Sequence, residues 1–235
     1  MYRRVVLKLS GQALAGDGGY GIDPDALSYI AGEFLSVRDL GVEIGVVVGG
    51  GNILRGNVLS RLGMDRVMSD HMGMLATLLN ALALQDVLRR AGIEAVVQSA
   101  IPVGGIAEPF HRGRAVQHLG EGKVVVFAGG TGNPFFTTDT AAALRAAEVG
   151  ADVVFKGTHM ADGVYDRDPA KHPNARRFDR LTYQEVLRRG LKVMDWTAIS
   201  FCMERGLPIV VFRIGTAGNF RRAVMGEAVG TLITN

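Results

Sequence analysis

A single cysteine, Cys202, stands in a chain of 235 residues, so no intrachain disulfide can form and a disulfide-built secreted scaffold is excluded. Only three apolar residues separate the basic Arg3-Arg4 pair from Lys8, too few for the apolar stretch of a secretory leader. A cytoplasmic protein is expected. Prolines number seven, which excludes collagen-like and proline-rich chains. Apolar runs such as 124–128 fall far short of the roughly 20 residues of a membrane span, so no membrane association is expected. Basic residues exceed acidic ones by only three and form no block, which makes nucleic acid an unlikely partner and a small anion a better one. The five histidines show no H-x-x-x-H or H-x-x-H pairing, and no protein-held metal site is expected.

Against these absences stands glycine, 32 residues, about twice the usual share. Sharp turns or close approaches of backbone to ligand follow. Short β-branched runs at 3–9, 42–48, 93–98, 123–127, 152–155 and 208–212 alternate with periodic segments at 24–39, 66–91, 139–149, 182–189 and 196–205. That order predicts an α/β fold with a mostly parallel sheet, in one domain spanning 1–235. Asp23-Pro24 and Thr137-Thr138-Asp139 read as helix starts. The stretch 156–181, with Gly157, Gly163, Pro169 and Pro173, reads as a long loop, functional or mobile.

Four glycine-bearing turns fall at carboxyl ends of predicted strands: Ser10-Gly11, Gly49-Gly50-Gly51-Asn52, 129–134 and Lys156-Gly157-Thr158. Parallel α/β sheets bind ligands at that edge, and four such turns favour a phosphate-rich ligand. Lys8 and Lys156 are placed to converge there, and Arg55 offers a planar fork for phosphate. Gly16-Asp17-Gly18-Gly19-Tyr20-Gly21 has the letters of a dinucleotide fingerprint but begins too far beyond the strand, so a surface loop is expected. No G-x-x-x-x-G-K-[ST] is present. The helix at 66–91 is apolar around Met68, Met72, Leu75, Leu78, Leu79 and Leu82, which predicts burial. Asp70, Gly73, Thr77 and Asn80 form one polar stripe on it, with Asp70 a candidate acceptor for a ribose hydroxyl. Cys202 reads as core. No nucleophile or strong base stands out, which suits phosphoryl transfer to another phosphate, since a monophosphate is largely ionised at neutral pH.

Lys8-Leu9-Ser10-Gly11, 49–52 with Arg55-Gly56, Asp70-His71-Met72-Gly73-Met74-Leu75-Ala76-Thr77, the block from Thr131 to Asp139, 191–195 and 230–233 together resemble the bacterial uridylate kinases of the amino-acid kinase superfamily, nearly end to end. The resemblance implies a three-layer α/β/α sandwich with a mostly parallel central sheet, an acceptor-binding part at about 1–150 and an ATP-binding part at about 151–235. It implies transfer of the ATP γ-phosphoryl group to UMP in pyrimidine nucleotide biosynthesis, with Mg²⁺ bound mainly through nucleotide phosphates, and a homohexamer.

By positional match, Lys8, Leu9, Ser10, Gly11, Gly51, Arg55, Thr158, Tyr165 and Asp168 would bind ATP. Gly50, Asp70, Thr131, Gly132, Asn133, Pro134, Phe135, Phe136, Thr137 and Thr138 would bind UMP. Lys8, Arg55, Lys156 and Asp195 would serve catalysis, with Asp195 orienting the lysines. Gly16, Asp17, Gly18, Gly19, Tyr20 and Gly21 lie where GTP acts on some members, and GTP or UTP are the implied effectors. Two departures are visible: Gln12 stands where the family often has Glu, and one extra residue falls within 159–161. An acetylglutamate or carbamate kinase would lack the Thr131–Asp139 block, and a non-catalytic nucleotide sensor could lose Lys8 or Lys156.

Overall fold

The computed structural model describes residues 1–54 and 63–235. Strand β1 (Arg4–Leu9) sends Val5, Leu7 and Leu9 into one core and Val6 into another, because successive side chains on a strand face opposite ways. Its neighbours are β2 (Glu43–Val48) and β6 (Val153–Thr158), both parallel to it. Beyond β2 lie β5 (Val124–Ala128), β3 (Ala95–Ser99) and the short β4 (Glu108–Pro109); beyond β6 lie β10 (Ile209–Arg213), β11 (Thr231–Thr234) and β9 (Arg180–Thr182). Among the described residues, only the β10–β11 pair in this nine-stranded sheet is antiparallel. Both faces are covered, so the central strands are continuously apolar.

Helices α1 (Pro24–Leu35), α2 (Arg66–Arg90) and, late in the chain, α7 (Asn219–Met225) supply apolar residues to the core on the Leu7 face. The Val6 face is covered by α3 (Arg112–Gly120), α4 (Thr138–Val149), α5 (Tyr183–Arg189) and α6 (Trp196–Arg205). The layering is therefore an α/β/α sandwich. Asp23 caps α1, accepting from the Ala26 N–H at 2.8 Å, with Pro24 at the first helical position. Thr137 does the same for α4 through the Asp139 N–H.

The structure departs from the sequence reading in five places. The periodic segment 24–39 breaks: α1 stops at Leu35, and a short 3₁₀ turn (Arg38–Leu40) carries the chain to Gly41, whose φ of 62° reverses it. The loop expected over 156–181 is partly ordered, since β6 runs on to Thr158 and a hairpin pairs β7 (Val164–Tyr165) with β8 (Arg177–Phe178). Helices α3 and α7 were not legible, being short and rich in glycine or arginine. Helix α2 is not buried all round: Met68, Leu75 and Leu79 are about half exposed, while Leu78, Ala81, Leu84 and Leu88 enter the core. Finally, α2 is long and apolar enough to cross a membrane by length and composition, where no such segment was expected. It packs on α1, β3 and β5 and buries polar groups in hydrogen bonds to two strand-end turns, as a core helix does.

Candidate active site

Lys8 is the fifth residue of β1 and so faces the same way as Val6, toward α4; on β6, Lys156 pairs with it in register. Two ammonium groups on adjacent strands under a helix layer repel, and burial penalises both. The carboxylate that separates them is Asp139, in the first turn of α4. Lys8 Nζ lies 2.8 Å from Asp139 Oδ1, and Lys156 Nζ donates to Asp139 Oδ2 at 2.8 Å. Lys156 also donates to the Val193 carbonyl. Burial would push the Asp139 carboxyl up, but the two lysines more than offset it and hold it below the ordinary carboxylate range. Burial, reinforced by Lys8, draws Lys156 below the ordinary lysine value, with Asp139 opposing. A cationic pair with its charge only half neutralised is thus fixed at the carboxyl edge of the sheet.

Asp195, expected to orient the lysines, touches neither. It caps α6 through the Ala198 N–H at 2.8 Å and accepts from the Thr140 hydroxyl at 2.9 Å and from the Thr137 hydroxyl. Its grip is on the N-terminus of α4, the turn that carries Asp139. The reason is geometric: Asp139 enters from the helix directly over the two strands, while Asp195 arrives one helix away.

A cavity of about 300 Å³ is lined by Asp139 and Lys156 together with Asp195, and two more adjoin the triad through Lys156 and through Thr138, the neighbour of Asp139. The larger, about 560 Å³, is lined by Lys156, Thr158, Tyr165 and Asp168, with Arg167, Lys171 and Lys192 adding positive charge. Thr158 donates to the Phe212 carbonyl at 3.1 Å and to that of Ala161. Tyr165 donates its hydroxyl to Asp162 at 2.6 Å, and Arg177 holds the other oxygen of that carboxylate at 2.7 Å, so the tyrosine is fixed by its own hairpin. Asp168 caps the following turn through the Ala170 N–H.

The smaller cavity, about 180 Å³, is lined by Gly50, Gly51, Asp70, Thr131, Asn133, Phe136, Thr137 and Thr138. Gly51, expected on the ATP side, therefore joins Gly50 here. Gly132, Pro134 and Phe135 lie outside its lining. Leu9 is core, and Ser10 and Gly11 open a 3₁₀ turn after β1. Gln12 reaches the Gly51 carbonyl at 3.4 Å. Arg55 lies outside the described residues.

The polar stripe of α2 builds this second cavity. Asn80, fully buried, donates to the Gly49 carbonyl at 2.7 Å and exchanges hydrogen bonds with the equally buried Asn52 at 2.7 and 3.0 Å. Thr77 accepts from the Gly129 N–H at 2.8 Å, and Asp70 accepts from the Phe135 N–H at 2.7 Å. One helix face thereby holds two strand-end turns and the loop that follows the second. The turn lies so close that a Cβ on Gly50 would sit 2.8 Å from that of Ala76, and one on Gly11 would overlap the Asn52 amide at 2.2 Å. The loop 16–21, a 3₁₀ turn at Gly16–Gly18 with Tyr20 exposed, docks through Gly21, which donates to and accepts from Asn52.

Asp139, Asn52, Asn80 and Thr140 had no site role in the sequence reading. Asp139 had a signal, an acidic residue one turn into a helix opening at the sheet's ligand edge. The described residues contain no cluster of three or more His, Cys, Asp or Glu that could hold a metal ion. Cys202 is buried, and burial raises its thiol to about 12, which leaves it unreactive.

A parallel sheet with paired lysines at its carboxyl edge, glycine turns and two adjoining cavities defines a phosphoryl-transfer class of α/β protein, distinct from the P-loop enzymes. The profile of the amino acid kinase family matches residues 3–213. The chain is 54% identical, over 99% of its length and 94% of the other's, to the uridylate kinase of Legionella pneumophila strain Paris. In structure it resembles UMP kinase from Bacillus anthracis, with a TM-score of 0.96 and 42% identity over 99% of this chain and 96% of that one. UMP kinase from Ureaplasma parvum gives a TM-score of 0.94 and 33% identity, each chain covered completely. The chain belongs to the amino acid kinase family.

Proposed function

We propose that this protein transfers the γ-phosphoryl group of ATP to UMP, giving ADP and UDP. The observation that carries the reading is the Lys8–Asp139–Lys156 triad between the two cavities. An oxygen of the acceptor phosphate attacks the γ-phosphorus, the bond from that phosphorus to the β-bridging oxygen breaks, and ADP leaves. The acceptor oxygen is already anionic at neutral pH, so no strong base is required; positioning and charge neutralisation lower the barrier. In this reading Lys8 and Lys156 stabilise charge on the transferring group, and Asp139 keeps them apart and aimed.

The larger cavity suits ATP, with Thr158, Tyr165 and Asp168 in its lining and Lys8, Ser10 and Gly11 assigned to ATP by resemblance, and the smaller suits UMP, with Gly50, Asp70 and the 131–138 loop. Mg²⁺ held by the ATP phosphates would supply further charge neutralisation, and the buried Asp139 carboxylate, already taken by two lysines, would not ligate it. The stripe of Met68, Leu75 and Leu79 on α2 is the surface we assign to contact with another copy in a homo-oligomer, a hexamer by resemblance, working in the cytoplasm. Docking of the 16–21 loop on Asn52 gives an effector such as GTP or UTP a route to the acceptor turn.

A coupled assay of ADP release with ATP–Mg²⁺ and UMP, CMP, acetylglutamate or carbamate tests the reaction. UMP is expected to exceed CMP in kcat/KM by about tenfold or more, because the reversed donor and acceptor edge of cytosine leaves buried polar groups unpaired. Release of ADP with none of the acceptors would leave a nucleotide-binding protein without kinase activity.

A further inference from the structure

Asp70 is held from two sides. Arg66, one turn earlier on α2, shares its Nε between the two carboxylate oxygens at 3.0 and 2.9 Å. From across the cleft, the Phe135 N–H donates to Oδ2 at 2.7 Å. An i,i+4 ion pair on an open helix surface contributes little to stability, and Arg66 is 63% exposed. What sets this pair apart is its third member. Phe135 is the non-glycine residue with positive φ among the described residues, at 71°. That backbone is costly for a bulky side chain. The residue is 65% exposed, and the Arg66 guanidinium lies 5.8 Å from the ring centroid. Core packing does not force this conformation; the contacts that hold it run to Asp70 and Arg66.

These bonds take up three acceptor positions, one on Oδ1 and two on Oδ2, and fix the carboxylate plane. A carboxylate has about four lone-pair sites, and Asp70 lines the smaller cavity with its side chain 21% exposed. The position left on Oδ1 has a fixed direction and can select one sugar hydroxyl, whereas a rotating carboxylate loses that selectivity.

We infer that Arg66 and the Phe135 amide are positioning groups that fix Asp70 for the acceptor's sugar and so set discrimination between ribose and 2′-deoxyribose. The inference rests on the reading of the smaller cavity as the UMP side. It makes the strained loop part of sugar recognition: the same carboxylate that receives the sugar holds Phe135 in its left-handed backbone.

The test compares UMP with dUMP, by kcat/KM and by calorimetric binding, in the unmodified protein and in Arg66→Ala, Arg66→Lys and Asp70→Asn. Because Arg66 is exposed, its variants are expected to keep the Tm within a few degrees. The unmodified protein should prefer UMP by about tenfold or more, the scale of a charge-assisted hydrogen bond. Arg66→Ala should raise KM for UMP about fivefold at unchanged KM for ATP, and narrow the UMP to dUMP ratio at least about threefold. Arg66→Lys, which keeps the charge without the planar fork, should fall between. A ratio unchanged in Arg66→Ala but narrowed in Asp70→Asn would overturn the role of Arg66 and leave the UMP reading standing. A ratio unchanged in Asp70→Asn would remove the sugar contact itself.

Discussion

On one side of the Lys8–Asp139–Lys156 triad, the small cavity is walled by turns that a single helix holds through buried amides and a hydroxyl; on the other, the large cavity is walled by a hairpin of two-residue strands and loops carrying exposed ion pairs. Asn80 and Asn52 are wholly buried and pair with one another. On the opposite wall, the Arg177–Asp162 pair is a third to a half exposed. Buried polar groups are expensive to leave unpaired, while exposed ion pairs contribute a fraction of a kcal/mol. On the proposed assignment of UMP to the small cavity and ATP to the large one, the acceptor wall should therefore couple recognition to stability. The donor wall should let the two vary separately.

The strongest test of this contrast is at its boundary, on the lysines that meet between the two walls. Lys8→Met and Lys156→Met should each lower kcat about 10²-fold or more with the protein still folded, since the lost charge acts mainly on the transition state. Full turnover in either variant would take that lysine out of the chemistry.

Asp139→Asn probes the same point through pH. Lys156 has its pKa lowered by burial and by Lys8, with Asp139 the chief opposing influence. Its ammonium is present at low pH and is lost as pH rises through a value already below that of a free lysine. Removing Asp139 lowers that value further, so the alkaline fall in kcat should begin at lower pH than in the parent enzyme. A limb that does not move would mean that another group sets it.

Asn80→Leu breaks the acceptor wall. The Gly49 carbonyl and the Asn52 amide lose their partner, at a cost of about 3 kcal/mol in urea unfolding, and KM for UMP should rise more than KM for ATP. Loss of stability with both KM values unchanged would mean that the stripe supports the fold and not the acceptor turn.

The asymmetry between the walls also explains what could be read in advance. Strand period and βαβ order suffice to put Lys8 and Lys156 at one sheet edge, because both are local to their strands. The spacing of Asp70, Thr77 and Asn80 marks one face of α2, but apolar content alone cannot say which face meets the sheet. Here the polar stripe turns toward the glycine turns while Met68, Leu75 and Leu79 look outward. The pairing of Asp139 with both lysines depends on how α4 crosses two strands, which no local pattern encodes, and Asp195 was assigned that place by resemblance. The β7–β8 strands have two residues each, too short for alternation to register.

The smallest expected effect lies on the donor wall, in the extra residue within 159–161. Lys156 is held inside β6, with Lys8 paired on one side and Val211 on the other, so a change of length downstream cannot easily move its backbone. The connection is made further along: Thr158 donates to the Ala161 carbonyl, and Ala161 lines the larger cavity. Deleting Ala161 should reshape that wall and change KM for ATP a few-fold, or the choice between ATP and GTP as donor, at nearly constant kcat, because contacts made equally in ground and transition states enter KM alone. KM for UMP should stay put, since Asn80 and Thr77 hold the acceptor turns from the opposite face of the sheet. A large fall in kcat with ATP affinity intact would show that the Thr158–Ala161 link helps place Lys156, and the two walls would then not be independent.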